Sequence, residues 1–208
     1  MSLREITCLC ENIFKAEIPT EYDCQAEPQT ISCILDGSFL NVNCPLCKKR
    51  LKLEFNVHIF DHAKGWDIEL IPELERNEYL RKLTNIDQHN KKRVVIGYRE
   101  LLEKVKCLQD NLDDQAVEYL KYHILSQIMA KTDNEEIDIR IFYFETKEGE
   151  LHFHIEGLKQ DEIALLKLPQ SIYQKAIKDW PQHIQEEPFK DFLYPPYVSI
   201  NRLYAWQD

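Results

Sequence analysis

The stretch Asn41-Val42-Asn43-Cys44-Pro45-Leu46-Cys47-Lys48-Lys49-Arg50-Leu51-Lys52-Leu53-Glu54-Phe55-Asn56-Val57-His58-Ile59 carries the main decision about the fold. Leu40 and Val42 alternate with Asn41 and Asn43. After the cysteines, Leu51, Leu53, Phe55, Val57 and Ile59 alternate with Lys52, Glu54, Asn56 and His58. Side chains on a strand point to opposite faces with period two, so this pattern predicts one strand near 39–43 and a second near 50–60. A tight turn holding Cys44 and Cys47 joins them.

Working outward, 12–18 (NIFKAEI) puts Phe14, Ala16 and Ile18 on one face and Lys15 and Glu17 on the other, a half-buried strand. Pro28 and Gly37 bracket Ile31, Ile34 and Leu35, and Pro before with Gly after suits a short helix. Trp66, Ile68 and Leu70 predict a strand over 66–71. The polar run 73–92 reads as a connection, helical at its start, with Leu74, Tyr79, Leu80 and Leu83 as sparse anchors. RVVIGY at 93–98 is a strand, and Leu101, Leu102, Val105 and Leu108 then mark an amphipathic helix. Asp113 or Asn111 caps a second helix, faced by Val117, Leu120, Ile124 and Ile128 and widened by Leu125 and Met129. Ile137, Ile139 and Ile141 pair with Leu151, Phe153 and Ile155 in a hairpin turning at 147–150. Tyr173, Ala176, Ile177 and Trp180 mark a third helix between Pro169 and Pro181. The aromatic stretch FLYPPYVSINRLYAW is read as a last extended segment.

The strongest chemical signal is Cys8-Leu9-Cys10, then 33 residues, then Cys44-Pro45-Leu46-Cys47. Zinc takes four ligands at tetrahedral corners, and a short Cys-containing turn lets two thiolates converge on one ion. Two such turns complete a four-cysteine site, so Cys8, Cys10, Cys44 and Cys47 are the expected ligands of one Zn2+. Nearby Lys48, Lys49, Arg50 and Lys52 offset the site's negative charge. Cys24, Cys33 and Cys107 are read as free thiols, the last two in helical packing.

ITCLCENIF, ISCILDGSF and NVNCPLCKKRLKLEF resemble the bacterial CpXC domain family, named for two Cys-Pro-x-Cys pairs. RVVIGYRELLEKVKCLQDNLDDQAVEYLKYHIL and YVSINRLY resemble its longer members. The resemblance implies zinc binding and no established activity. Cys44 and Cys47 match the second motif fully. Cys8 and Cys10 match the first as a shortened pair without its proline, and Glu11 and Lys48 stand where a glycine often follows such a knuckle. The spacing also resembles that of the bacterial redox-regulated zinc chaperone, which implies an oxidisable zinc-thiolate switch as the alternative.

Other constellations carry blander readings. His152 and His154 are read as the solvated face of the hairpin, and His58, Asp61 and His62 as polar residues leading to a turn at Gly65. Asp113 and Asp114 suit a helix start. Lys48, Lys49, Arg50 and Lys91, Lys92, Arg93 are read as solvated strand ends. No serine elbow, Walker loop or Rossmann fingerprint occurs.

The 208 residues carry 26 basic and 36 acidic side chains. Up to Leu74 there are seven basic and twelve acidic residues and after it nineteen and twenty-four, so each part carries −5. Neither part is a basic arm, which disfavours nucleic acid. The start, with Arg4, Glu5 and Glu11, is not read as a secretory signal, and no membrane span is expected. Seven cysteines, an odd number, would leave one thiol over in a closed disulfide framework, and with neither signal nor span expected the compartment is read as a reducing cytoplasm.

The expectation is an α+β protein: a zinc-ribbon-like β unit at 1–72, a connecting segment at 73–90, and a C-terminal α/β unit at 91–208 of antiparallel strands and about three helices, packed with the first. Its expected role is a non-enzymatic zinc protein that binds another protein. A metal-dependent enzyme and a nucleic-acid binder stand behind it.

Overall fold

The computed structural model describes residues 2–83, 91–131 and 138–204. It is an α+β chain that clusters into two units, Met1–Tyr79 with Lys91–Leu102, and Leu80–Asn90 with Glu103–Asp208.

In the first unit, β1 (Ser2–Thr7) and β2 (Ile13–Ile18) form an antiparallel hairpin, with Ile6 opposite Phe14. The chain then makes a short strand, β3 (Glu21–Asp23), and helix α1 (Gln29–Asp36), which ends at Gly37 in the left-handed conformation. A second hairpin follows, β4 (Asn41–Asn43) with β5 (Arg50–Lys52). Next, β6 (Val57–Asp61) pairs parallel with β3 and antiparallel with β7 (Trp66–Ile71). Helix α2 (Arg76–Lys82) precedes β8 (Arg93–Ile96), which lies parallel to β7. The mixed sheet has the order β3-β6-β7-β8. The second hairpin is therefore an insertion in the crossover that carries β3, through α1, to β6.

The strand expected at 50–60 is two strands in two sheets. Residues 53–56 leave the ladder, although Leu53 N–H still donates to the Leu40 carbonyl at 3.0 Å. The alternation survives the break because Leu51, Leu53 and Phe55 are half-buried and Val57 and Ile59 buried, all in one phase. Period two reports a face, not which strand is the neighbour.

Helix α3 (Gly97–Gln109) starts two residues before the expected position, at the Gly97-Tyr98 pair read as strand. Gly97 has φ +74°, and a Cβ there would run into the Glu73 carboxylate. Arg76 holds that carboxylate and, through a second nitrogen, Glu100 at 2.9 Å.

The second unit places α4 (Asp114–Met129), capped by Asp113 as expected, with an antiparallel sheet of order β11-β10-β9. Its strands are β9 (Arg140–Lys147), β10 (Glu150–Glu156) and β11 (Ile163–Pro169). Ile139, Ile141, Leu151, Phe153 and Ile155 join Val117, Leu120 and Ile124 in its core. Ile137 lies outside the described residues. Helix α5 (Gln170–His183) continues through Pro181. The tail is not extended: α6 (Phe189–Phe192) and a 3-10 turn (Ile200–Tyr204) bury Phe192, Tyr197 and Ile200. Aromatic content signals burial there without fixing the backbone form.

A charged cluster is sealed in this core. Lys121 is fully buried and pairs with Glu103 at 2.9 Å and Glu118 at 2.7 Å. The carboxylates also accept the backbone N–H of Tyr143 and Ile200. All members are hydrogen-bonded, as a buried charge requires.

Candidate metal centre

Both cysteine pairs sit in the loops of the two hairpins. Cys8 follows β1 directly and Cys44 follows β4 directly. In the first loop Cys8 N–H donates to the Asn12 carbonyl at 2.9 Å, and Glu11 N–H donates to the Cys8 carbonyl at 2.8 Å. In the second, Cys44 N–H donates to the Lys49 carbonyl at 2.9 Å, and Lys48 N–H donates to the Cys44 carbonyl at 3.0 Å. The two knuckles thus share one bonding scheme, the second longer by one residue. Cys-x-Cys is the same turn with a residue removed, which is how the shortened pair still points both sulfurs inward.

Each knuckle turns at the residue after its second cysteine. Glu11 has φ +64° and Lys48 φ +61°. These are the positions where the sequence lacks the expected glycine, so the left-handed geometry is kept without the residue that suits it.

All four sulfurs lie within 4.8 Å of one another. Cys8 Sγ is 3.6 Å from Cys47 Sγ, and Cys10 Sγ is 3.7 Å from Cys44 Sγ. A regular tetrahedron with metal–sulfur bonds of about 2.3 Å has edges of roughly 3.8 Å, so these separations suit four thiolates around one ion. They are far beyond the S–S bond of about 2.05 Å, and all seven cysteines are free. Cys8 and Cys44 are buried; Cys10 is exposed and Cys47 half-buried.

The cage also polarises its thiols. Desolvation raises the Cys44 thiol, but the backbone N–H groups of Cys47 and Leu46 and the side chains of Cys8 and Asn12 together lower it to about 6. The Cys10 backbone favours the Cys8 thiolate. Burial and the neighbouring sulfurs of Cys10, Cys47 and Cys44 outweigh it and push Cys8 up to about 12. Four thiolates crowded together repel one another, and a divalent cation relieves that repulsion.

Asn12 is a site residue that the sequence reading does not single out. Its Nδ2 donates to Cys44 Sγ at 3.6 Å, the kind of outer contact that orients a metal ligand. A short polar residue one step past the knuckle is the available signal.

The other candidates fall elsewhere. Among the described residues, the four cysteines are the one group of His, Cys, Asp or Glu gathered closely enough to hold a metal. His152 is not solvated: it is buried, with Nδ1 3.3 Å from Glu145. His154 stacks on Phe144, with ring centroids 4.0 Å apart. Asp61 is the turn residue expected, accepting the Lys64 N–H at 3.0 Å, while His58 pairs with Asp67 at 2.8 Å. Asp114 pairs with Lys104 at 2.6 Å. Cys107 is in the core of the second unit, and Cys24 is buried with its thiol pushed up to about 11, chiefly by desolvation.

Two hairpins that close a four-thiol cage on an α+β chain define a cysteine-cluster protein able to hold a metal ion. The CpXC protein family model matches residues 6–121, more than half of the chain and all four cysteines, and the chain belongs to that family. An uncharacterized protein of Treponema pallidum (strain Nichols) is 24% identical over 221 residues, covering 98% of this chain and 99% of that protein. No solved structure matches. No helix among the described residues is long and apolar enough to cross a membrane.

Proposed function

We propose that the four thiolates hold one zinc ion in a closed structural site, and that the protein is a non-enzymatic cytoplasmic zinc protein that binds another protein. The donor set carries this reading: four sulfurs at tetrahedral spacing, on two knuckles that mirror each other's hydrogen bonds. Four thiolates suit zinc, whose d10 shell imposes no other geometry and no redox chemistry. They also saturate it, leaving no position for the water that a catalytic zinc keeps open.

The knuckle tips support a protein partner. Leu9 and Leu46, the residues between the cysteines, are 87% and 68% exposed. These two exposed apolar side chains, one on each knuckle, are the surface this reading assigns to the partner.

Metal analysis with thiol counting tests the zinc. One zinc per chain, with four thiols masked until a chelator is added, is expected. Cys44→Ser should lose the metal and unfold the first unit. Zinc retained at full stoichiometry in Cys44→Ser would refute the ligand assignment. Pull-down from the native host tests the partner: capture should fall when Leu9 and Leu46 are both changed to Ser with zinc retained, and equal capture refutes the tip reading.

The exposure of Cys10, with Cys47 only half-buried, favours a second reading, a redox-sensing zinc-thiolate switch. Mild peroxide should then release zinc with loss of four thiols, and zinc that stays bound rules the switch out.

A further inference from the structure

The second unit holds a cavity of about 360 Å³ bordered by α4, β10, β11 and α5. Ile155 of β10, Leu166 and Leu168 of β11, Ile124 and Ile128 of α4, and Ile172 of α5 give it apolar walls. Leu166 and Leu168 stand opposite the buried Phe153 and Leu151, on the core face of the sheet. They are nonetheless only half-buried, and Ile172 is 42% exposed. The core thus stops short at this corner. Its space matches that of small-molecule sites, which are concave and mostly apolar with a few polar groups.

One border is polar. His123 and Gln127 lie four residues apart on α4, and Lys131 follows just past its end, where its N–H donates to the Ile128 carbonyl at 3.0 Å. The His123 ring is set edge-on against Tyr119, with centroids 4.5 Å apart. No carboxylate lines the cavity among the described residues. There, too, none of these three side chains has a hydrogen-bond or ion-pair partner. Ile172 brings the first turn of α5 to the cavity, and that turn has neither an acidic residue nor a side-chain cap. The positive end of a helix dipole adds to the sign set by Lys131.

We propose that this cavity takes the chain of a small amphipathic anion, of the medium-chain fatty-acid class, with its carboxylate at Lys131. The volume equals that of about twelve liquid waters, enough for a chain of about eight to ten carbons. Removing the chain from water supplies the affinity. The Lys131 ammonium and the Gln127 amide select the head, which stays at the border and avoids the cost of burying a charge. A neutral head forgoes the ion pair, and a cationic one is repelled.

Titration calorimetry on the full-length, metal-loaded protein tests this with decanoate, decanol and decylammonium, each below its micelle concentration. Decanoate should bind once per chain and about three- to tenfold more tightly than decylammonium, with decanol between. Lys131→Glu, at an exposed position, should invert that order. Leu166→Trp fills the cavity and should abolish binding of all three. Ile172→Trp, at a partly exposed wall, does the same with less risk to the fold, and circular dichroism and thermal unfolding check both variants. Absence of saturable decanoate binding overturns the proposal. So does equal binding of the anion and the cation, or decanoate binding undiminished in folded Leu166→Trp and Ile172→Trp. The cavity lies wholly in the second unit, so none of these outcomes bears on the cysteine cage.

Discussion

Glu11 is held at φ +64° in the first knuckle, where a side chain crowds the backbone. A non-glycine residue in this region costs roughly 1–2 kcal/mol. Glycine removes that cost but adds freedom to the unfolded chain, worth about 0.4–1 kcal/mol in the other direction. Glu11→Gly should therefore stabilise the metal-loaded first unit by about 0.5–1 kcal/mol. Glu11 is exposed, and its backbone bond to the Cys8 carbonyl survives the change, so little else is removed. Lys48→Gly should act likewise, less a small loss from its Nζ contact to the Pro45 carbonyl at 2.8 Å. The assay is denaturant unfolding with zinc in fixed excess, read as a rise in midpoint at unchanged slope. Glu11→Ala is the control, since alanine keeps the crowding and should gain nothing. If Gly and Ala behave alike at this position, the reasoning is refuted.

Other consequences are equally open to measurement. Asn12→Ala removes the donor to Cys44 Sγ and should weaken metal affinity about 10–100-fold with the fold intact, read by chelator competition. An unchanged affinity means that the contact does not orient the ligand. Gly157 has φ +87°, and a Cβ there would collide with the Asp138 carbonyl, so Gly157→Ala should cost at least about 2 kcal/mol in thermal unfolding. Lys121→Met strands Glu103 and Glu118 without their counter-charge and should cost about 3–5 kcal/mol. In the intact cluster the Glu118 carboxyl is pushed up to about 7: desolvation raises it more than Lys121 lowers it, and Glu103 raises it further. The folded state then holds that proton more tightly than the unfolded one. The contribution is full below the unfolded carboxylate value and is lost as pH rises through about 7. Relative to Glu118→Gln, wild type should gain stability from about pH 8 down to about pH 5, and a flat difference refutes the shift.

Much of the chain is legible in sequence because its signals are local. The Pro28–Gly37 bracket, the Asp113 cap, the β2, β7 and β10 alternations and the four cysteines each declare themselves within a few residues. What escapes depends on distant neighbours. β1 has few apolar residues and gains its order by pairing with β2. β3 has three residues, too few for any period, and exists because β6 lies beside it. β11 reads IALLKLP, apolar on both faces at an edge, so alternation does not find it. His152 reads as solvated because its position alternates with buried neighbours, yet Glu145 lies against it. The cage is visible as residue types and spacing. The left-handed turns at Glu11 and Lys48 are hidden because neither residue advertises that conformation.

The placement of the second hairpin inside a crossover has a topological meaning. Cys10 and Cys44 are 34 positions apart, and the chain between them contains β2, β3, α1 and β4. An ion gripping both knuckles fastens the two ends of that loop, as a cross-link would. Closing a loop of this length in the unfolded chain removes roughly 4 kcal/mol of entropy. Unlike a covalent bond, such a fastening would be reversible, opening when free metal falls and closing when metal returns. On the proposed metal site, the order of some thirty residues, including a strand of the mixed sheet, would be tied to the concentration of a single ion.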